Sequence, residues 1–412
     1  MTAWLHVVGI GEDGRCGLGV RARAALDTAE VLVGGARHLA MLPEDGRERR
    51  TWPTPFADAI AMLKDLKPRT VAVLASGDPM WFGVGATLAA AIPPAEMEVI
   101  PAPSAFALAA ARLGWPLAEV ACLSLHGRPA AALMPHIASG ARLLILAEDR
   151  HTPAAVATRL LARGYGPSRI AVLERLGGPG ERVTEITADD LARDAGFAPA
   201  DLNTIAVECR PGPAPLVLPT VPGLPDDAFV QDGRITKREV RAATLARLMP
   251  LPGALLWDIG AGSGAVAIEW LRAAPRTRAV AIEPRPDRLE AVGRNAETLG
   301  VPHLAIVAGK APEALAGLPA PDAVFVGGGL SGPGGAAILE AAHAALVPGG
   351  RLVANGVTLE TEAVLLGARD RFGGELIRLS IARAEPVGPH LGWRPMMPVT
   401  QWAVRLAWEP RS

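Results

Sequence analysis

The chain has 412 residues, half of them hydrophobic, and a formal net charge of −1. That length exceeds one ordinary domain and makes two the natural expectation, while the near-neutral charge offers no electrostatic reason to expect nucleic acid as a partner. No uncharged run approaches the roughly 18 residues of a membrane span, and the opening residues enter a strand-like run without a basic start, so a cytoplasmic enzyme without a signal peptide or membrane partner is expected.

Strand-like runs open the chain at 5–10, 30–33, 71–75 and 97–101, and continue at 121–125, 142–147, 170–174 and 204–208. Helical or irregular stretches separate them, which reads as an α/β arrangement. Loops rich in Gly, Pro and Ser follow several strand ends. They are Gly9-Ile10-Gly11-Glu12-Asp13-Gly14, Ser76-Gly77-Asp78-Pro79-Met80-Trp81-Phe82-Gly83, Pro101-Ala102-Pro103-Ser104-Ala105 and Glu174-Arg175-Leu176-Gly177-Gly178. Such loops present backbone N–H and C=O groups to a ligand without side-chain bulk, although any one alone would pass for an ordinary turn.

Cys16, Cys122 and Cys209 are far apart and have neither metal-ligand nor disulfide spacing, so reduced thiols and no metal site are expected. Pro211, Pro213, Pro215, Pro219, Pro222 and Pro225 then crowd one stretch. Prolines at that density cannot continue a helix or a central strand, which predicts a semi-rigid linker over 210–228 between a domain at 1–209 and another at 229–412.

Beyond it a helix is predicted over 237–249, then strands near 254–259, 279–283, 304–308, 323–327, 350–354, 376–382 and 399–407. The first of these strands runs into Asp258-Ile259-Gly260-Ala261-Gly262-Ser263-Gly264, and the second ends on Glu283. Glycines there let the backbone turn sharply and approach a ligand, and the following helix aims its N–H groups at it. An acid at the tip of the next strand is placed to accept from both hydroxyls of a ribose. Gly260, Gly262 and Ala265 formally satisfy the dinucleotide pattern, but the acid two residues before the first glycine makes Asp-x-Gly-x-Gly-x-Gly, which resembles motif I of S-adenosylmethionine (SAM) methyltransferases. The predicted fold of this half is a seven-stranded Rossmann-like sheet with one antiparallel strand at the end.

The N-terminal loops, in their order, resemble the tetrapyrrole methylase superfamily, specifically the branch of the cobalamin pathway that methylates C5. Val7-Val8-Gly9-Ile10-Gly11, Val33-Gly34-Gly35-Ala36-Arg37-His38-Leu39, Leu74-Ala75-Ser76-Gly77-Asp78-Pro79, Ala111-Arg112-Leu113-Gly114-Trp115-Pro116 and Leu125-His126-Gly127-Arg128 carry that likeness. The second half is similar to enzymes of the same pathway that methylate C15 and decarboxylate an acetate side chain. Its marks are Ile235-Thr236-Lys237-Arg238-Glu239-Val240-Arg241, the Asp258–Gly264 loop, Ala311-Pro312-Glu313 and Val326-Gly327-Gly328-Gly329.

The resemblance implies a two-lobed tetrapyrrole methylase fold joined to the Rossmann-like half, two SAM sites per chain, a precorrin substrate and a homo-oligomer. It implies that Asp78, Trp81, Ser104 and Ala105 line SAM in the first half, and Thr236, Gly260, Ala261, Gly262, Ser263, Gly264, Glu283 and Ala311 in the second. Substrate carboxylates call for cations or N–H groups, and the candidates are Arg37, His38, His126, Arg128, His390 and Arg394. No catalytic side chain is assigned, because a sulfonium is already an activated electrophile and the task left to the protein is alignment and exclusion of water.

Overall fold

The computed structural model describes residues 3–408, and the chain divides into two compact units, Met1–Leu216 and Val217–Ser412. In the first, strands β1 (Leu5–Ile10), β2 (Val31–Gly34), β3 (Glu48–Thr51), β4 (Val71–Ser76) and β5 (Met97–Ile100) form one sheet. Its order is β3-β2-β4-β1-β5, and every pairing is parallel. Alternation along β1 explains why both faces are covered: Leu5 and Val7 pack on one side with Leu63 and Leu88, and Val8 and Ile10 on the other with Leu26.

A second sheet in the same unit joins β6 (Ala121–Ser124), β7 (Arg142–Leu146), β8 (Arg169–Glu174), β9 (Arg182–Thr187) and β10 (Asn203–Glu208) in the order β6-β7-β10-β8-β9. Here β6 and β7 run parallel and the remaining pairs antiparallel. The sequence gives no strand reading for β3 or β9. Both lie at sheet edges; Glu48-Arg49-Arg50-Thr51 has no apolar residue, and in Arg182–Thr187 the two apolar residues, Val183 and Ile186, are three apart and do not alternate as an apolar strand face does.

The second unit holds β11 (Leu255–Ile259), β12 (Arg278–Glu283), β13 (Ala305–Ala308), β14 (Ala323–Val326), β15 (Arg351–Gly356), β16 (Glu375–Leu379) and β19 (Val399–Arg405) in one seven-stranded sheet of order β13-β12-β11-β14-β15-β19-β16. β19 is antiparallel to both neighbours and sits inside the sheet between β15 and β16. Strands β17 (Ala382–Val387) and β18 (His390–Pro395) make a separate two-stranded hairpin. No described helix is long and apolar enough to cross a membrane.

The proline-rich stretch is built into the units rather than strung between them. Gly212 and Leu216 donate backbone hydrogen bonds to Gly164 and Arg163 of the first unit. Leu218, Leu224 and Phe229, all 5% exposed or less, join the core of the second. Prolines remove backbone donors here, but Leu and Phe between them still have apolar surface to bury.

Candidate functional site

Each unit carries a large cavity at the carboxyl ends of its parallel strands, where an open α/β sheet binds ligands. In the first unit a cavity of about 600 Å³ is bounded by the loops after β1, β4 and β5 on one side and by the ends of β7, β8 and β10 on the other. Glycine is required where those loops meet: a Cβ on Gly9 would lie 2.0 Å from the Gly77 carbonyl oxygen and 2.6 Å from the Ala102 nitrogen. Two backbone bonds tie the loops together, Gly77 N–H to Ile10 and Ala102 N–H to Gly77, both 3.1 Å.

Asp78, Trp81, Ser104 and Ala105 all line this cavity. Asp78 Oδ1 accepts from the Met80 N–H at 2.9 Å, shaping its own turn. Ser104 caps the helix Ala105–Leu113 by accepting from the Ala107 N–H at 3.1 Å, which aims that helix's amino end at the cavity. Trp81 and Phe82 stand half exposed over the buried Phe106, with ring centroids 5.7 and 6.0 Å from it.

The cations proposed for substrate carboxylates fare differently. Arg37 forms an ion pair with Glu12. His38 Nε2 is 2.9 Å from an Arg37 guanidinium nitrogen and 2.9 Å from Ser76 Oγ. Because a guanidinium only donates, that ring nitrogen accepts and the imidazole is neutral; burial and the Arg37 charge push its pKa down to about 4. His38 is thus an acceptor in the cavity wall, not the cation a carboxylate needs. His126 lies in the wall with Nδ1 3.5 Å from Glu148. Arg128 is stacked on Phe82 at 5.3 Å, just outside the lining. Arg175, from the loop Glu174–Gly178, is a further cation that lines the cavity and carries no distinguishing signal in the sequence.

In the second unit a cavity of about 490 Å³ gathers Thr236, Gly260, Ala261, Gly262, Ser263, Glu283 and Ala311. Gly260, Gly262 and Gly264 have φ of +70°, +59° and +75°, the left-handed region that glycine alone enters freely. They differ in what a side chain would meet. At Gly260 it would strike Gly328 at 2.8 Å, whereas at Gly262 nothing lies closer than Arg234 O at 4.0 Å, so a side chain there would occupy the cavity itself. Gly264 stands behind the lining as the residue before the helix Ala265–Ala273, packed on Val292.

The two acids of the motif have separate tasks. Asp258 is buried and its Oδ2 accepts from the Ala267 N–H at 3.0 Å, holding the first turn of the helix. Burial, with the Glu283 charge adding to it, pushes the Asp258 pKa up to about 7. Glu283 accepts from the Gly262 N–H at 2.9 Å and the Arg285 N–H at 3.2 Å, so the acid fixes the glycine turn while facing the cavity.

Asn355, at the carboxyl end of β15, also lines this cavity and was not legible as a site residue. It donates to Thr244 Oγ1 at 2.9 Å and accepts from Gln401 at 2.9 Å. A lone Asn ending an apolar strand is the only trace of it in the sequence. His390 and Arg394 are on the β17–β18 hairpin, outside the cavity lining, and Arg394 is paired with Glu385 at 2.8 Å.

The family described as tetrapyrrole (corrin/porphyrin) methylases matches residues 4–192, and the precorrin methyltransferase domain matches 227–406. A precorrin-6Y C(5,15)-methyltransferase [decarboxylating] from Sinorhizobium sp is 49% identical over 98% of this chain and 96% of its own length. Shorter relatives match part of the chain. A cobalt-precorrin-7 C(5)-methyltransferase of Salmonella typhimurium is 32% identical over 43% of this chain and 88% of its own length. A probable cobalt-precorrin-6B C(15)-methyltransferase (decarboxylating) of Pyrobaculum calidifontis is 36% identical over 43% of this chain and 93% of its own. With a relative this similar along nearly the full length of both proteins, the chain belongs to the precorrin-6Y C(5,15)-methyltransferase (decarboxylating) family.

Proposed function

We propose that the chain is a bifunctional SAM-dependent C-methyltransferase acting on a precorrin-6 intermediate in the cytoplasm, as a homo-oligomer. The first unit methylates C5; the second methylates C15 and decarboxylates the C12 acetate, and precorrin-8 results. The observation that carries this reading is that each unit has its own cavity at the carboxyl ends of parallel strands, edged by tight glycine turns.

The residues present fit SAM in both places. In the second unit the space in front of Gly262 is what an approaching nucleoside requires, Glu283 retains acceptor capacity for ribose hydroxyls, and Thr236 and Ala311 complete the wall. In the first, Asp78, Trp81, Ser104 and Ala105 would do the holding. SAM supplies a methyl group on a sulfonium, which an electron-rich ring carbon takes up. The chain's own contribution is to hold the ring carbon in line, exclude water and leave the ring free to shed a proton, a task of orientation worth up to about 7–11 kcal/mol.

The test is to incubate the purified chain with SAM and the reduced precorrin-6 tetrapyrrole and to weigh the product. Two methyl groups gained and one CO2 lost is the expected result; a product with a single added methyl, or one that keeps its acetate, refutes the bifunctional reading.

A further inference from the structure

Among the charged side chains lining the first unit's cavity, Arg37 is paired with Glu12 and His126 faces Glu148, and the Asp201 carboxylate is taken by Arg150 at 2.7 Å. Arg175 is the lining cation for which the described residues give no close ion pair or side-chain hydrogen bond; the neighbouring Glu174 feels its charge but is held by Arg182. It lies where this cavity meets an adjoining one of about 420 Å³, in which Arg182 is likewise held, by Glu174 at 2.6 Å. Two more observations single it out. Its φ of +48° is in the left-handed region, which disfavours any residue with a Cβ. Its side chain is laid along Gly180, where a Cβ would come within 3.1 Å of Arg175 Cδ and 3.3 Å of Nη1, so that glycine leaves room for the guanidinium.

We propose that Arg175 is the anchor for a carboxylate side chain of the tetrapyrrole in the first unit, its guanidinium donating paired hydrogen bonds to that carboxylate. The inference rests on the reading of this unit as the C5 methylation site. A guanidinium fork matches a carboxylate edge in two parallel bonds, and one that makes no ion-pair hydrogen bond of its own breaks none in making them. Trp81 and Phe82 on the opposite side offer aromatic surface to a flat ring. A substrate bearing many carboxylates on an apolar ring needs both kinds of contact, and Arg175 supplies the charged one.

The full chain is assayed for C5 methylation with a C15-methylated, decarboxylated tetrapyrrole as substrate, comparing the parent with Arg175→Asn and Arg175→Lys. Asn tolerates the left-handed backbone, so the first change removes the guanidinium without straining the turn. Arg175→Asn is expected to raise KM for the tetrapyrrole about ten- to a hundredfold, with kcat and SAM affinity within about twofold of the parent, and Arg175→Lys to recover part of the loss. A KM for Arg175→Asn within about twofold of the parent overturns the proposal, as does an equal loss of SAM affinity, which would put the residue at the cofactor. If the parent transfers no methyl to C5, the functional reading falls and the proposal with it; if the parent does so and the Asn variant keeps its KM, the Arg175 proposal alone falls.

Discussion

Arg241 Nε lies 2.6 Å from Glu269 Oε1, and both side chains are shut off from solvent, at 0% and 1% exposure. The pair is the centre of a buried network. Glu269 also accepts from the N–H groups of Gly223 at 2.6 Å and Leu224 at 2.9 Å, while Arg241 reaches Asp226 at 3.1 Å and the carbonyl oxygens of Leu224 and Thr236. It therefore binds the strap that opens the second unit to the helix that follows the glycine turn, and sets the position of Thr236 in the cavity wall.

Glu269→Ala leaves a buried guanidinium without its main counter-charge, which should cost about 3–5 kcal/mol of stability. The same network dictates where the second unit can be separated. A fragment of residues 217–412 should melt cooperatively and bind SAM, whereas one of 226–412 lacks Leu218, Leu224 and two donors to Glu269 and should melt lower or aggregate. Equal melting temperatures for the two fragments would show that the strap adds nothing.

Glu283 is expected to hold the ribose hydroxyls. Glu283→Ala should weaken SAM binding to the 217–412 fragment about ten- to a hundredfold, equivalent to about 1.5–3 kcal/mol. Part of that loss comes through the turn, since the Gly262 N–H also loses its acceptor. Calorimetric titration measures it, and an unchanged affinity would remove Glu283 from the site.

Asp258 makes stability depend on pH. Its folded pKa of about 7 exceeds the unfolded value of about 3.9. Between those values the unfolded chain has lost the proton that the folded chain keeps, so stability declines as pH rises from about 4 to 7 and levels off above. Asp258→Asn keeps an acceptor for the Ala267 N–H but cannot ionise. In urea titrations of the 217–412 fragment it should remove a decline on the order of 1–4 kcal/mol between pH 4 and 8. A parent and variant that lose stability in parallel would exclude Asp258 as the source.

The two cavities should fail separately. Asp78→Arg puts bulk and opposite charge into the first, and the product should be decarboxylated but short of one methyl. Gly262→Arg sends a side chain into the second, since nothing else occupies the space before that glycine, and should abolish decarboxylation. Calorimetry on the parent should find two SAM per chain. Mass spectra in which both variants lose the same product would mean that one cavity does no chemistry.

Contributions of the sequence and of the tertiary structure divide along chain distance. The loops at strand ends were legible because their signal is local: Gly262 must be glycine for its own φ, and Ser104 caps a helix three residues away. Strands with apolar runs, such as Val71–Ser76 and Leu255–Ile259, were legible for the same reason, whereas the edge strands Glu48–Thr51 and Arg182–Thr187, which have no continuous apolar run, each pair with a single neighbour. Arg37, Arg128 and Arg175 look alike in sequence, each a cation beside a loop. Glu12, 25 positions from Arg37, neutralises the first, Phe82 covers the second, and the third is left open to the cavity. Composition and spacing thus determined which residue types reach the cavities; which of them keep a free charge there was decided only by folding, because ion pairs and stacking form between groups that the chain brings together from distant positions.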